Sequence, residues 1–265
     1  MTSVGKRGYG VAGALAHDVI RAVAPAAEAA GVATFWANDT PVGDGLAALA
    51  AASEGTTRIR LGVGVIPVDR MPPATIAARV AELGLPRERL VIGIGSGMAT
   101  KGALALVVDA SRELRETYGL RVVVGALGPR MCEAAGAAAD GVLLNWLTPG
   151  WAANAAESVR RAGAEIGRTP EIIAYVRVAL GAAAGERLVA EAERYEGYPA
   201  YAAHFAKMGV RAIDTCVHGA RGGDIRAGLA PFDPGVDEVV ARAITAEDGA
   251  ADYLATLAAV SGTLS

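Results

Sequence analysis

The stretch VVVGALGPRM, Val122 to Met131, joins an apolar, β-branched run to a glycine corner and then to a segment led by proline. Apolar residues on consecutive positions, rather than alternating ones, mark a strand covered on both faces, as parallel strands are. Gly125 and Gly128 allow a sharp end to the strand, and Pro129 suits the first position of a helix, where the missing N–H costs nothing. GALGP on its own reads either as turn punctuation or as a corner where main-chain N–H groups approach an anion at a helix N-terminus.

Outward from this stretch the same pattern recurs. Apolar runs lie at 9–14, 32–38, 58–66, 89–95, 121–126, 141–146, 171–180 and 210–217. Segments of helical period follow them, at about 18–30, after Asp44, after Pro72-Pro73, up to Tyr118, from Pro129, and over 149–167, 185–208 and 236–260. In the last of these, Val236, Val239, Val240, Ala243 and Ile244 fall at the spacing of one buried helix face. Eight β-then-α units in this length predict a single domain over 1–265, a (β/α)₈ barrel (TIM barrel) of the α/β class with short βα loops. A doubly wound open sheet is the competing arrangement, because strand order is not written in the sequence. The glycine-rich stretch GARGGDIRAG, 219–228, reads as a long final βα loop.

Bulk properties narrow the class. The chain has 265 residues, 52% of them hydrophobic, and carries a formal net charge of −3, which gives no basic footprint for a nucleic-acid backbone. Charges or Gly/Pro clusters interrupt each apolar run before the roughly 18 residues a membrane helix needs, and no apolar signal segment follows the first residues. Neither nucleic acid nor a membrane is expected as a partner. Cys132 and Cys216 are far apart, without metal-site spacing or a disulfide framework, so a cytoplasmic location and no metal are expected.

In a barrel the active face lies at the C-terminal ends of the strands. Those ends carry Asn38-Asp39-Thr40, Gly64-Val65-Ile66-Pro67, Gly95-Ser96-Gly97, Ala126-Leu127-Gly128, Asn145-Trp146-Leu147-Thr148, Arg177, and Cys216-Val217-His218. No Rossmann fingerprint, P-loop or GxSxG elbow is present, and GIGSG has the wrong spacing for either phosphate motif. What remains is rich in glycine and backbone donors and poor in ionisable groups. Such a face suits a large phosphorylated cofactor that brings its own reactivity, with the helix from Pro129 aiming its free N–H groups at the phosphate beside Arg130. The plainer readings stand beside this one: Asp39 as a strand-to-loop cap, Trp146 as a core indole, GVGVIP as a bend in a strand.

The stretches AAEAAGVATFWANDTP, RIRLGVGVIPVDRMPPATIAARVAEL, RLVIGIGSG and VVVGALGPRMCEAAGAAADGVLLNWLTP, in this order, resemble the luciferase-like flavin and deazaflavin (F420)-dependent oxidoreductases, which are (β/α)₈ barrels. The resemblance implies an enzyme that transfers a hydride between coenzyme F420 and a small organic substrate. The alternatives are an FMN-dependent luciferase-like monooxygenase or reductase, and a barrel that binds flavin or deazaflavin without turnover. It implies cofactor contacts at Asn38, Asp39, Gly64, Val65, Gly95, Ser96, Gly97, Ala126, Leu127, Gly128, Arg130, Asn145, Trp146 and Thr148. It also implies a cis peptide at Gly64-Val65, Asp39 as the catalytic acid or base, and a homodimer. Many relatives have His where this chain has Thr40. The F420 preference rests on LNWLTP and GALGPRM, with Arg70, Lys101 and Arg130 available for an acidic cofactor tail.

Overall fold

The computed structural model describes residues 5–99 and 101–262. The chain begins β1 (Lys6–Val11), α1 (His17–Ala29), β2 (Thr34–Ala37), α2 (Gly45–Ser53), β3 (Arg60–Pro67), α3 (Pro73–Glu82), β4 (Leu90–Gly95), α4 (Ala103–Glu116). It continues with β5 (Arg121–Ala126), α5 (Pro129–Ala138), β6 (Gly141–Asn145), α6 (Pro149–Ala164), β7 (Glu171–Leu180), α7 (Ala182–Glu196) and α8 (Pro199–Met208). The last elements are β8 (Val217–Gly219), α9 (Gly222–Leu229), β9 (Glu238–Ile244) and α10 (Ala250–Ser261).

Strands β1 to β7 pair in sequence order, all parallel; β7 then pairs with β9, and β9 with β1. This closes an eight-stranded barrel, so each of these eight strands is paired on both sides. The three-residue β8 pairs only with the end of β7, from Val178 to Leu180. Since β9 already occupies one side of Ala179, β8 lies on the β6 side, beyond the point where β6 stops.

The expected barrel is present, but its eighth unit differs from the sequence reading. Residues 210–217 are not a barrel strand; they carry a 3-10 turn at Ala212–Thr215 and only Val217 enters β8. The segment 236–260 is not one helix, because EVVARAI is the closing strand β9, buried on both faces, and α10 follows it. Nor is 219–228 a loop: Gly222–Leu229 is α9. The connection from β7 to the closing strand therefore contains three helices, and short βα loops hold only for the earlier units.

Inside the barrel, Trp36, Val91, Val123, Leu143, Ile173, Tyr175 and Val240 form one packed cluster contributed by six strands. Glycines make room for the large members: a Cβ on Gly62 would lie 2.5 Å from the Trp36 ring, and one on Gly10 would lie 2.8 Å from the Tyr175 hydroxyl. Small and large residues thus complement one another across the barrel interior. Towards the N-terminal ends of the strands a polar plug takes over. The enclosed carboxylate of Glu238 accepts from Trp36 Nε1 at 3.2 Å and Thr34 Oγ1 at 3.1 Å and pairs with Arg60, which also pairs with Glu171. The outward faces of the strands pack on the helices through Phe35, Leu61, Ile92 and Val124, among others. No helix among the described residues is long and apolar enough to cross a membrane.

Candidate functional site

With the bottom plugged, the open end is the C-terminal rim, where β2 to β7 and the α7–α8 hairpin surround a cleft of about 470 Å³. Its back wall is made where β3 breaks register with β4 between Val63 and Ile66. The Gly64-Val65 peptide there is cis, as the resemblance implied. Val65 projects between two glycines: a Cβ on Gly95 would sit 3.0 Å from its Cγ2 and one on Gly125 3.0 Å from its Cγ1. The two bare backbones let Val65 stand at the centre of the wall. Gly97, at φ +61, adopts a conformation that side chains rarely enter, while Asp69 accepts from the N–H of Met98 at 2.8 Å to tie down the same loop.

Asn38 holds this wall from the side. Its Nδ2 donates to the carbonyl of Gly64 at 3.0 Å, and its Oδ1 accepts from Tyr175 at 3.1 Å and from Arg242 Nε at 2.7 Å. Burial pushes the Tyr175 phenol up to about 12, so it stays a donor. Asp39 is engaged on both oxygens. Oδ1 accepts from the N–H of Gly45 at the start of α2 at 3.1 Å, and Oδ2 pairs with Arg70.

On the opposite rim, Gly128 precedes α5 with no side-chain cap and Pro129 in the first turn, so that turn's N–H groups have no partner from a side chain of the chain itself. A Cβ on Gly128 would meet nothing within 4 Å, which leaves the corner open to a ligand. Arg130 is exposed beside it, on an open furrow between the starts of α4 and α5 that also includes Gly102 and Met131.

Asn38, Asp39, Gly64, Val65, Gly95, Ser96, Gly97, Ala126, Leu127, Gly128 and Asn145 all line the cleft. Three of the expected contacts stand outside it. Arg130 faces the neighbouring furrow; Thr148 is the residue just before α6; and Trp146 is buried at 1% exposure, with a left-handed backbone at φ 54. Trp146 carries Arg177 on its ring at 3.5 Å and packs against Tyr195 and Phe205. The plain reading of this residue as a packed indole therefore describes its contacts. Sequence reasoning did not assign Tyr175, Arg177, Tyr195 or Tyr201, which the cleft also contains. Arg177 was visible as a strand-end residue; Tyr195 on α7 and Tyr201 on α8 carried no signal, since the helices they lie on could not be placed over the rim from sequence.

Residues 1–117 match the family model described as luciferase-like monooxygenase. Over that span, less than half of the chain, the sequence is similar to that family. No curated protein matches the sequence. Solved structures of the same fold cover nearly the whole chain. The coenzyme F420-dependent tetrahydromethanopterin reductase from Methanopyrus kandleri has a TM-score of 0.75 at 16% identity, over 97% of each chain. An F420-dependent secondary alcohol dehydrogenase, in complex with an F420–acetone adduct, has a TM-score of 0.73 at 13% identity, over 97% of this chain and 99% of that one. The oxygenating constituent of the 3,6-diketocamphane monooxygenase of Pseudomonas putida, in complex with FMN, has a TM-score of 0.72 at 15% identity, over 97% and 96%. At these identities the similarity is one of fold. Flavin- and deazaflavin-dependent oxidoreductases and monooxygenases both occupy it.

Proposed function

We propose that the cleft binds coenzyme F420 and that the protein transfers a hydride between it and a small organic substrate. The observation that carries this reading is the pairing of an apolar wall at Val65 with an uncapped, side-chain-free corner at Gly128, on opposite sides of one cleft. A flat ring system needs the first and a phosphate needs the second.

The residues fit such a group. Val65, flanked by Gly95 and Gly125, would back the ring; Gly95 to Gly97 would run along its edge; Ala126 to Gly128 would hold the phosphate. When bound, the cofactor supplies the hydride chemistry. The chain's own part is orientation and exclusion of water: Asn38 fixes the wall, and Tyr195 and Tyr201 roof the cleft. Asp39, the acid or base that the resemblance implied, would have to leave Arg70 to move a proton. As placed, it anchors Arg70 and the start of α2 at the rim. Arg130, exposed on the neighbouring furrow, and Lys101, exposed just before Gly102 of that furrow, would be available to an acidic tail.

FMN is the second reading, favoured by the equal likeness of the barrel to an FMN-bound neighbour. Titration of the purified protein with F420 and with FMN, followed by cofactor fluorescence, separates the two. Saturable binding of F420 supports the proposal, saturable binding of FMN alone transfers it to the second reading, and binding of neither removes both.

A further inference from the structure

The polar residues on the α7 side of the cleft carry more positive charge than the protein neutralises. Arg177 is 3% exposed, and its guanidinium lies over Trp146 at 3.5 Å, with Tyr195 at 5.0 Å. Its Nε donates to Glu191 at 2.7 Å and its Nη1 to Asn145 Oδ1 at 2.8 Å. Nη2 has no protein partner among the described residues, yet it is not one of the fully enclosed unpartnered atoms. Since Arg177 lines the cleft, this free prong of the fork is its cleft-facing donor.

Arg242, half-buried nearby, donates to Asn38 and to a backbone carbonyl and has no carboxylate within ion-pair distance among the described residues. Among the described residues Glu191 is the one carboxylate paired with Arg177, and it also has Arg194 at 3.9 Å. The other acid on the rim, Asp39, is matched by Arg70. Desolvation opposes ionisation of Glu191, but the charges of Arg177 and Arg242 hold its carboxyl below the usual range, so it is not a free base. Arg177 and Arg242 thus share the single charge of Glu191, and a ligand carboxylate would supply the counter-charge that this side of the cleft lacks.

Tyr201, on α8, adds a second donor. It lines the same cleft, its hydroxyl has no protein partner among the described residues, and burial pushes the phenol up to about 12, which keeps its proton. Tyr195 makes edge contacts with Tyr198 and Tyr201, whose rings are tilted against each other, an aromatic surface for an apolar body.

We propose that the substrate bears a carboxylate on an apolar body, with the carboxylate held by Arg177 Nη2 and the Tyr201 hydroxyl under the α7–α8 roof. This rests on the reading of the cleft as a joint cofactor and substrate site. A guanidinium fork recognises a planar carboxylate and has far less to offer a neutral amide of the same shape.

Benzoate and benzamide, nearly the same in shape and different in charge, are the probes. Each is titrated into the wild-type protein, with and without the cofactor identified by the fluorescence titration, and followed by ligand-observed NMR. Benzoate is expected to bind about tenfold more tightly than benzamide, with the cofactor present as well as absent. Arg177→Gln is expected to abolish the preference and leave benzamide unchanged. Tyr201→Phe, which removes one oxygen from a roof residue, is expected to weaken benzoate several-fold and so stands if the arginine variant fails to fold. Equal binding of the two probes by the wild type overturns the proposal. So does displacement of benzoate by the cofactor, which would give Arg177 to the cofactor's own acidic groups. Failure of the protein to bind either cofactor is read separately, from cofactor fluorescence, and leaves the benzoate-to-benzamide ratio as its own measurement.

Discussion

Asn38 donates to the carbonyl of Gly64 at 3.0 Å while the other end of its amide accepts from both Tyr175 and Arg242. One side chain thus joins β2, β3, β7 and β9 across the mouth of the barrel. Removing it leaves the buried phenol of Tyr175 without an acceptor and takes the Nε partner from half-buried Arg242, which keeps its backbone carbonyl. Asn38→Ala is expected to lower stability by about 2–3 kcal/mol in urea denaturation, a larger loss than one surface hydrogen bond gives.

Val65 stands in space that two glycines provide. Gly125→Ala places a methyl 3.0 Å from Val65 Cγ1 and can be relieved only by moving Val65 into the cleft. Cofactor affinity is expected to fall about tenfold, with a stability loss of about 1–2 kcal/mol. The double variant Gly125→Ala/Val65→Ala is expected to regain most of the affinity; isothermal titration of both proteins checks it.

The carboxylate of Glu28, at the end of α1, accepts from three successive backbone N–H groups, of Thr57 at 3.0 Å, Arg58 at 2.6 Å and Ile59 at 2.8 Å. Desolvation works against the charge, but these donors outweigh it and hold the carboxyl at about 2. A depressed folded value means that the stabilisation is fully present above the ordinary carboxylate range and is lost as pH falls through about 2. Glu28→Gln is expected to cost about 1–2 kcal/mol at neutral pH and to flatten the decline of stability below pH 4.5. Denaturation curves across that range provide the measurement.

Asp39→Asn removes the charge that pairs with Arg70 and weakens the acceptor for the Gly45 N–H. If Asp39 anchors the rim, cofactor affinity falls several-fold and the pH profile of turnover keeps its shape. Loss of one limb of that profile would instead make Asp39 the proton-transferring group.

The barrel was legible in the sequence because its first seven strands are short apolar runs, each followed by a helical segment. The ambiguity came at EVVARAI. A strand buried on both faces is apolar at so many positions that it also satisfies the i, i+3, i+4 spacing of a helix, and only its seven-residue length and closing role separate the two. The glycine and backbone half of the cleft was legible for a related reason, since strand ends are marked by glycine. Tyr175 and Arg242 were not, because an inward-pointing polar residue in the middle of an apolar strand looks no different from an outward one until the barrel closes. Nor was the pairing of Asp39 with Arg70, a contact between two loops that are neighbours only once β2 and β3 lie side by side.

The detour between β7 and β9 also sets an order of events. β1 is held on one side by β2, close to it in sequence, but its other side is completed only by β9, through pairs such as Lys6 with Glu238. Glu238 is also the residue that Arg60, Trp36 and Thr34 converge on. During synthesis from the N-terminus, most of the sheet is available before its last strand exists, with two unpaired edges and with one of the two carboxylates that meet Arg60 still missing. Such an open intermediate is exposed to misassociation, and contacts this distant in sequence form slowly. Closure of the barrel and assembly of its interior charge network are therefore a single late step.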